Sequence, residues 1–92
     1  MIIRILTEGQ WRFPASLLDD LNDIDHAIVD DVADDNKDEF RTLLDKMIAL
    51  VKDNGTPLEM DEFEESDAII PQSDITLEEA KEMFVGTGVV PG

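Results

Sequence analysis

The chain has 92 residues, enough for one domain (1–92) and too few for a second hydrophobic core. Its 23 acidic and seven basic residues give a net charge of −16, which disfavours binding to nucleic acid or to anionic lipid. There is no cysteine, so disulfides and thiolate metal sites are excluded, and no apolar stretch approaches the roughly 20 residues that span a bilayer. Because the N-terminal residues also lack a signal-peptide pattern, we expect a soluble, cytoplasmic protein.

Residues 2–13 are predicted to form a β-hairpin. A three-residue loop, Thr7-Glu8-Gly9, would place Arg4 opposite Arg12 and Ile3 opposite Phe13. Because strand side chains alternate, the hairpin then has one apolar and one basic face. The apolar face carries Ile3, Ile5, Trp11 and Phe13, and the basic face carries Arg4, Gln10 and Arg12.

Two amphipathic helices are predicted next, at about residues 14–34 and 36–54. Pro14 suits a first helical turn, with Ser16 as an alternative N-cap, and Asp35 or Asn36 caps the second helix. Both helices carry an apolar stripe with spacings of three and four residues. The first stripe is Leu17, Leu21, Ile24, Ile28 and Val32, and the second is Phe40, Leu43, Leu44, Met47, Ile48 and Val51. The short connection between the helices predicts an antiparallel pair.

The last third of the chain is predicted to contain a long acidic loop and a short helix. Within the loop, residues 68–70 (Ala-Ile-Ile) either add an edge strand or lie across the helical pair. Thr76 and Glu79 have the spacing of a capping box, which predicts a helix over residues 76–85. The tail from Val89 onwards is apolar, and we expect it to dock back on the domain.

An isolated hairpin is marginal in water, so its apolar face should pack on the helices. The predicted fold class is therefore α+β: an N-terminal two-stranded β-hairpin packed on an antiparallel two-helix hairpin, followed by a long acidic loop and a short third helix.

No residue pattern predicts catalysis, and we expect no enzyme activity, no cofactor and no metal site. His26 is the sole histidine, and Asp23 and Asp30 flank it at helical spacing, which is typical of a solvated ion pair. A calcium loop that starts at Asp34 would need glycine at its sixth place and glutamate at its twelfth, but Glu39 and Asp45 stand there. The acidity leaves a basic partner, divalent cations or a salty cytoplasm as explanations.

The basic face of the hairpin is the candidate binding surface, with Arg4, Gln10, Trp11 and Arg12 as its partner-binding residues. Two interpretations of the arginines are open: they neutralise acids of the same chain, or they contact a carboxylate-rich partner helix. Trp11 is either a core residue or an interface residue.

Several segments together resemble the PspA-associated protein family, PspAA. They are residues 1–12 (MIIRILTEGQWR), 55–58 (GTPL), 66–71 (SDAIIP), 76–79 (TLEE) and 88–92 (GVVPG), in addition to the two acidic helices. The resemblance covers essentially the whole chain and includes no catalytic signature.

The resemblance implies an accessory or regulatory protein that acts beside PspA, the coiled-coil protein that coats stressed inner membranes in the phage-shock (envelope stress) response. It implies a PspA-like partner, no direct membrane insertion and a cytoplasmic location, at the inner face of the membrane through that partner. The negative charge adds the expectation that no nucleic acid is bound. Two other functions remain open: a self-associating structural homodimer, and an acidic decoy of a basic nucleic-acid-binding protein.

Overall fold

The structure is a computed structural model that describes residues 1–59, 61–84 and 88–90. It has the predicted mixed α+β architecture, in which a small sheet packs on two helices and a short third helix follows. The strands are β1 (Ile2–Ile5), β2 (Gly9–Arg12), β3 (Thr56–Pro57) and β4 (Ala68–Ile70). The helices are α1 (Leu18–Ala33), α2 (Lys37–Asn54) and α3 (Leu77–Ala80), and a 3₁₀ turn, Ala15–Leu17, leads into α1.

The β1–β2 hairpin forms, but the predicted register is wrong by two residues. Arg4 lies opposite Gln10, not Arg12, and Ile3 lies opposite Trp11, not Phe13. The turn closes one residue earlier than expected, because the Glu8 N–H donates to the Ile5 carbonyl at 3.0 Å. A shift of two residues leaves every side chain on its predicted face, since strand side chains alternate with a period of two.

Two further strands extend the hairpin to a four-stranded sheet of order β3-β2-β1-β4. Of the two alternatives for residues 68–70, the edge strand is correct, and β4 runs parallel to β1. Strand β3 pairs antiparallel with β2 and was not predicted. It has two residues, one of them Pro57, and so leaves no alternation to detect.

Both helical stripes were predicted correctly and form one core with the inner face of the sheet. The sheet contributes Ile3 and Ile5, and Phe13 follows β2. From the helices, the buried members are Leu21, Ile28, Val32, Phe40, Leu44, Met47, Ile48 and Val51. Full burial of one such side chain contributes about 1.5–3 kcal/mol, so the core is sufficient to hold the hairpin against the helices.

The caps of α2 and α3 lie where the sequence predicted them. The Asn36 side chain accepts a hydrogen bond from the Glu39 N–H, and Thr76 and Glu79 form a complete capping box. Helix α3 ends at Ala80, earlier than the predicted range of 76–85. Residues 81–84 continue as turns that mix three- and four-residue hydrogen bonds, as short helix ends often do, and residue 85 lies outside the described residues.

Candidate functional site

The outer face of the sheet, defined here by Arg4, Gln10, Arg12 and Ile69, points away from the core. Alternation along β1 directs Ile3 and Ile5 inward and Arg4 outward. The registers place Gln10 on one side of Arg4 and Ile69 on the other. Three of the four predicted partner-binding residues therefore share this face.

An acidic loop, residues 61–66, lies against the β2 side of the outer face. The Gln10 side-chain amide donates to the Glu64 carbonyl and, at 2.9 Å, to the Ser66 hydroxyl. Arg12 pairs with the carboxylates of Glu62, at 3.4 Å, and Glu64. Arg12 thus neutralises acids of its own chain, the first of the two interpretations that the sequence left open.

Trp11 lies on the opposite, inner side of the sheet. It is half-buried, lies opposite Ile3 on β1 and Pro57 on β3, and packs against the hydrophobic core. The backbone at Gly55 comes so close that a Cβ there would lie 3.2 Å from the Trp11 Cβ. Trp11 therefore has a packing role, and it does not share a surface with Arg4.

Arg4 lines an open cavity of about 230 Å³ between the hairpin and the segment that follows β3. Leu58, Glu59, Glu62 and Phe63 line it from that segment. Arg4 is the cation of this lining, and within the described residues no carboxylate lies within ion-pair distance of it. Its charge is therefore available to a bound group.

Two apolar side chains border Arg4 and are open to solvent. Phe63, in the acidic loop, is 80% exposed, and Ile69, in β4, is 45% exposed. They are the exposed large apolar side chains of the described residues. Neither was proposed as a site residue from the sequence. Two sequence signals could have indicated their exposure: Phe63 is an aromatic residue inside an acidic run, and Ile69 is the middle residue of a three-residue strand.

Asp25 is a fully buried carboxylate in α1 that was not predicted from the sequence. Its two oxygens accept hydrogen bonds from the backbone N–H groups of Val89, at 3.1 Å, and Val90, at 2.9 Å. The spacing does contain the signal, because Asp25 lies four residues after Leu21 and three before Ile28, on the apolar stripe. Val90 is buried beside it, which confirms that the tail docks on the domain as far as it is described.

Asp31 is the second buried carboxylate, near the end of α1. Burial raises the pKa of Asp31 above its usual range, and Glu39 raises this pKa further through its charge and a side-chain hydrogen bond. The Oδ2 atom of Asp31 has no hydrogen-bond partner among the described residues. This carboxyl group faces helix α2 rather than the outer face of the sheet, so it belongs to the helix pair and not to the candidate site.

The described residues contain no cluster of side chains that is placed to hold a metal ion. His26 is exposed on α1. No helix within the described ranges is long and apolar enough to cross a membrane.

Comparison with known protein families identifies the family of this chain. The family model described as PspAA, PspA-associated protein, matches residues 1–92, the whole length of the chain. No curated protein and no solved structure matches the chain significantly. The match spans the hairpin, both long helices, the acidic loop and the docked tail, and so this chain belongs to the PspAA family of PspA-associated proteins.

Proposed function

We propose that this chain is a non-enzymatic accessory protein that binds a PspA-like coiled-coil protein and regulates it in the envelope stress response. The observation that carries the proposal is the family match over residues 1–92, because the family is described by its association with PspA. The outer face and the acidic loop beside it support the proposal further, since together they offer the Arg4 charge and the exposed side chains of Phe63 and Ile69 to a protein partner.

The buried polar groups support a role in binding rather than in catalysis. Asp25 is used to hold the tail, and Asp31 lies between two helices rather than in a cleft. Enzyme sites usually combine a cleft with a titratable group whose pKa is shifted. Here the shifted carboxyl group and the open cavity are in different parts of the molecule.

The net charge supports an indirect relation to the membrane. A chain with a charge of −16 is repelled by anionic lipid and by nucleic acid at ordinary salt concentrations. In this proposal the protein lies in the cytoplasm and reaches the inner face of the membrane through its partner, without a metal ion, a cofactor or inserted segments.

Co-purification with a PspA homologue from the same genome tests the proposal. We expect the immobilised chain to retain that homologue at about 0.1 M salt and to release much of it at about 1 M, where charge interactions are screened. Vesicles of anionic lipid without PspA serve as the control and should not be retained. If the homologue passes through at the lower salt concentration, the proposed function is wrong.

Two measurements separate this function from the other two that the sequence left open. Light scattering of the chain alone over a range of concentrations detects a homodimer. Competition between the chain and DNA for a basic DNA-binding protein detects a decoy, whose binding would fall steeply with salt concentration. For an accessory protein of PspA we expect a monomer in the first measurement and no competition in the second.

A further inference from the structure

We propose that the partner docks on the outer face of the sheet, with one of its carboxylates against Arg4 and its apolar side chains over Phe63 and Ile69. This inference rests on the proposed function and adds the surface and the chemistry of the bound segment. The segment that we infer is an amphipathic helix of the PspA-like partner.

The two exposed hydrophobic residues lie close to Arg4. Phe63 and Ile69 lie in different segments, the acidic loop and β4, yet both border Arg4. Burial of one large apolar side chain contributes about 1.5–3 kcal/mol, so leaving both in water forgoes stabilisation that a partner can recover. Aromatic and arginine side chains are also the residues that most often dominate interface energies.

Arg4 differs in its ion pairs from Arg12, the other arginine of the outer face. Arg12 is already paired with Glu62 and Glu64, so a partner would have to displace them. Two of the three acids that line the Arg4 cavity pair with other cations: Glu8 with Lys52, and Glu62 with Arg12. The third, Glu59, is not within ion-pair distance of Arg4. An incoming carboxylate therefore gains Arg4 without breaking an ion pair within the described residues.

The surroundings of Arg4 also limit which partner fits. The rim of the cavity carries the carboxylates of Glu8, Glu59 and Glu62, and the whole chain repels anions. A uniformly acidic helix would be rejected, because like charges across an interface are unfavourable. The fitting segment has one carboxylate for Arg4, an apolar stripe beside it and lysine or arginine on both flanks. The cavity, about 230 Å³, has room for a single side chain.

Affinity measurements with matched variants of the full chain test this surface. Arg4→Glu reverses the central charge, and Lys46→Glu makes the same change in net charge on an exposed position of α2 that does not line the cavity. We expect Arg4→Glu to raise the Kd for the PspA homologue about tenfold or more, and Lys46→Glu to change it less than about threefold.

Phe63→Ser is the second variant, because Arg4 is half-buried and its reversal could disturb the strand. Phe63 is exposed, so we expect this variant to melt like the wild type while its Kd rises about tenfold. Circular dichroism confirms the fold of each variant before the affinity is measured.

The outcomes separate this inference from the proposed function. If the wild type binds and Phe63→Ser weakens binding no more than Lys46→Glu does, the proposed docking surface is wrong and the proposed function stands. A wild type that binds no PspA homologue overturns both. If light scattering instead shows a homodimer that Phe63→Ser disrupts, the face joins two copies of this chain and the inference is wrong.

Discussion

Gly88 lies directly against the carboxylate of Asp25, and a Cβ at position 88 would come within 2.4 Å of the Asp25 Oδ2 atom. Gly88 also has a φ of +93°, a backbone conformation that side-chain-bearing residues rarely adopt. The close approach lets the next two backbone N–H groups, those of Val89 and Val90, reach the buried carboxylate. One aspartate in α1 and one glycine near the end of the chain thus act as a unit that holds the tail on the domain.

Gly88→Ala should therefore destabilise the protein by about 2–4 kcal/mol, since it adds a steric clash to an unfavourable φ. Urea unfolding measures the change. Gly9→Ala is the matched control, because Gly9 has a φ of +128° with no atom within 4 Å of an added Cβ. It isolates the cost of the positive φ and should lower the free energy of unfolding by about 1–2 kcal/mol. Equal effects of the two substitutions would contradict the account of the clash.

Asp25→Ala should release the tail, because the N–H groups of Val89 and Val90 lose their acceptors in a buried site. We expect a loss of about 2–4 kcal/mol in the free energy of unfolding, since each buried unsatisfied donor costs about 1–3 kcal/mol. Amide hydrogen exchange is the sensitive readout: the Val89 and Val90 amides should lose protection while α2 keeps its own. Asp23→Ala, an exposed position on the same helix, is the control and should leave both amides protected.

Asp31→Asn should stabilise the protein at neutral pH. The pKa of Asp31 is raised in the folded state, so the folded protein holds this proton more tightly than the unfolded chain does. Protonated Asp31 contributes its full stabilisation at pH values below the pKa of this group in the unfolded chain. That stabilisation is lost as the pH rises through the pKa of Asp31 in the folded protein. Asparagine cannot ionise and escapes that loss. The melting temperature of the variant should thus exceed that of the wild type more at pH 7 than at pH 3.

The control for this prediction is Asp30→Asn, which removes the same charge from an exposed neighbouring position. It changes the general repulsion among acids but not the burial of a carboxylate. If Asp30→Asn raises the melting temperature at pH 7 as much as Asp31→Asn does, burial is not the cause of the effect.

Gly55→Ala should destabilise the junction between α2 and β3 by about 1–3 kcal/mol through crowding alone. Gly55 has an ordinary φ of −90°, so backbone strain does not enter. An added Cβ would lie 2.6 Å from the Val51 carbonyl oxygen and 3.2 Å from the Arg12 carbonyl oxygen, both backbone atoms that cannot rotate away. Thermal unfolding measures the effect. Asn54→Ala, one residue earlier and exposed, should shift the melting temperature by only a few degrees.

Arg12→Ala should change stability little, by about 0–1 kcal/mol, because Arg12 and its partners Glu62 and Glu64 are all substantially exposed. The expected consequence is a looser acidic loop, seen as faster amide exchange at residues 62–66. A loss of several kcal/mol in urea unfolding would show that the loop supports the fold more strongly than exposed ion pairs can.

The parts of the structure that the sequence predicted well are those with local periodicity. The stripes of α1 and α2 follow from spacings of three and four residues, and the caps at Asn36 and Thr76 follow from contacts three residues apart. The two faces of the hairpin were also predicted correctly although its register was wrong. A two-residue slip moves a strand without turning it over.

The candidate site depended more on contacts between distant segments. The sequence placed Arg4, Gln10 and Arg12 on one face, but it could not distinguish the two arginines. Arg12 pairs with Glu62 of the acidic loop, 50 residues later in the chain, whereas Arg4 has no ion pair among the described residues. Phe63 lies near Arg4 because β3 pairs with β2 and β4 pairs with β1, which holds both ends of the segment that contains Phe63 against the hairpin.

The sequence by itself determined the strongly acidic charge, the two long helices and the hairpin, and which of their faces are apolar. The helices and faces follow from neighbours within about one or two turns of chain. Only the tertiary structure decided the order of the strands, the parallel pairing of β4 with β1, and the hydrogen-bond donors of Asp25. Those donors, the N–H groups of Val89 and Val90, lie 64 and 65 residues after Asp25 in the chain. The physical reason is that a buried carboxylate needs donors that point at it, and no spacing along the chain specifies which distant backbone will supply them.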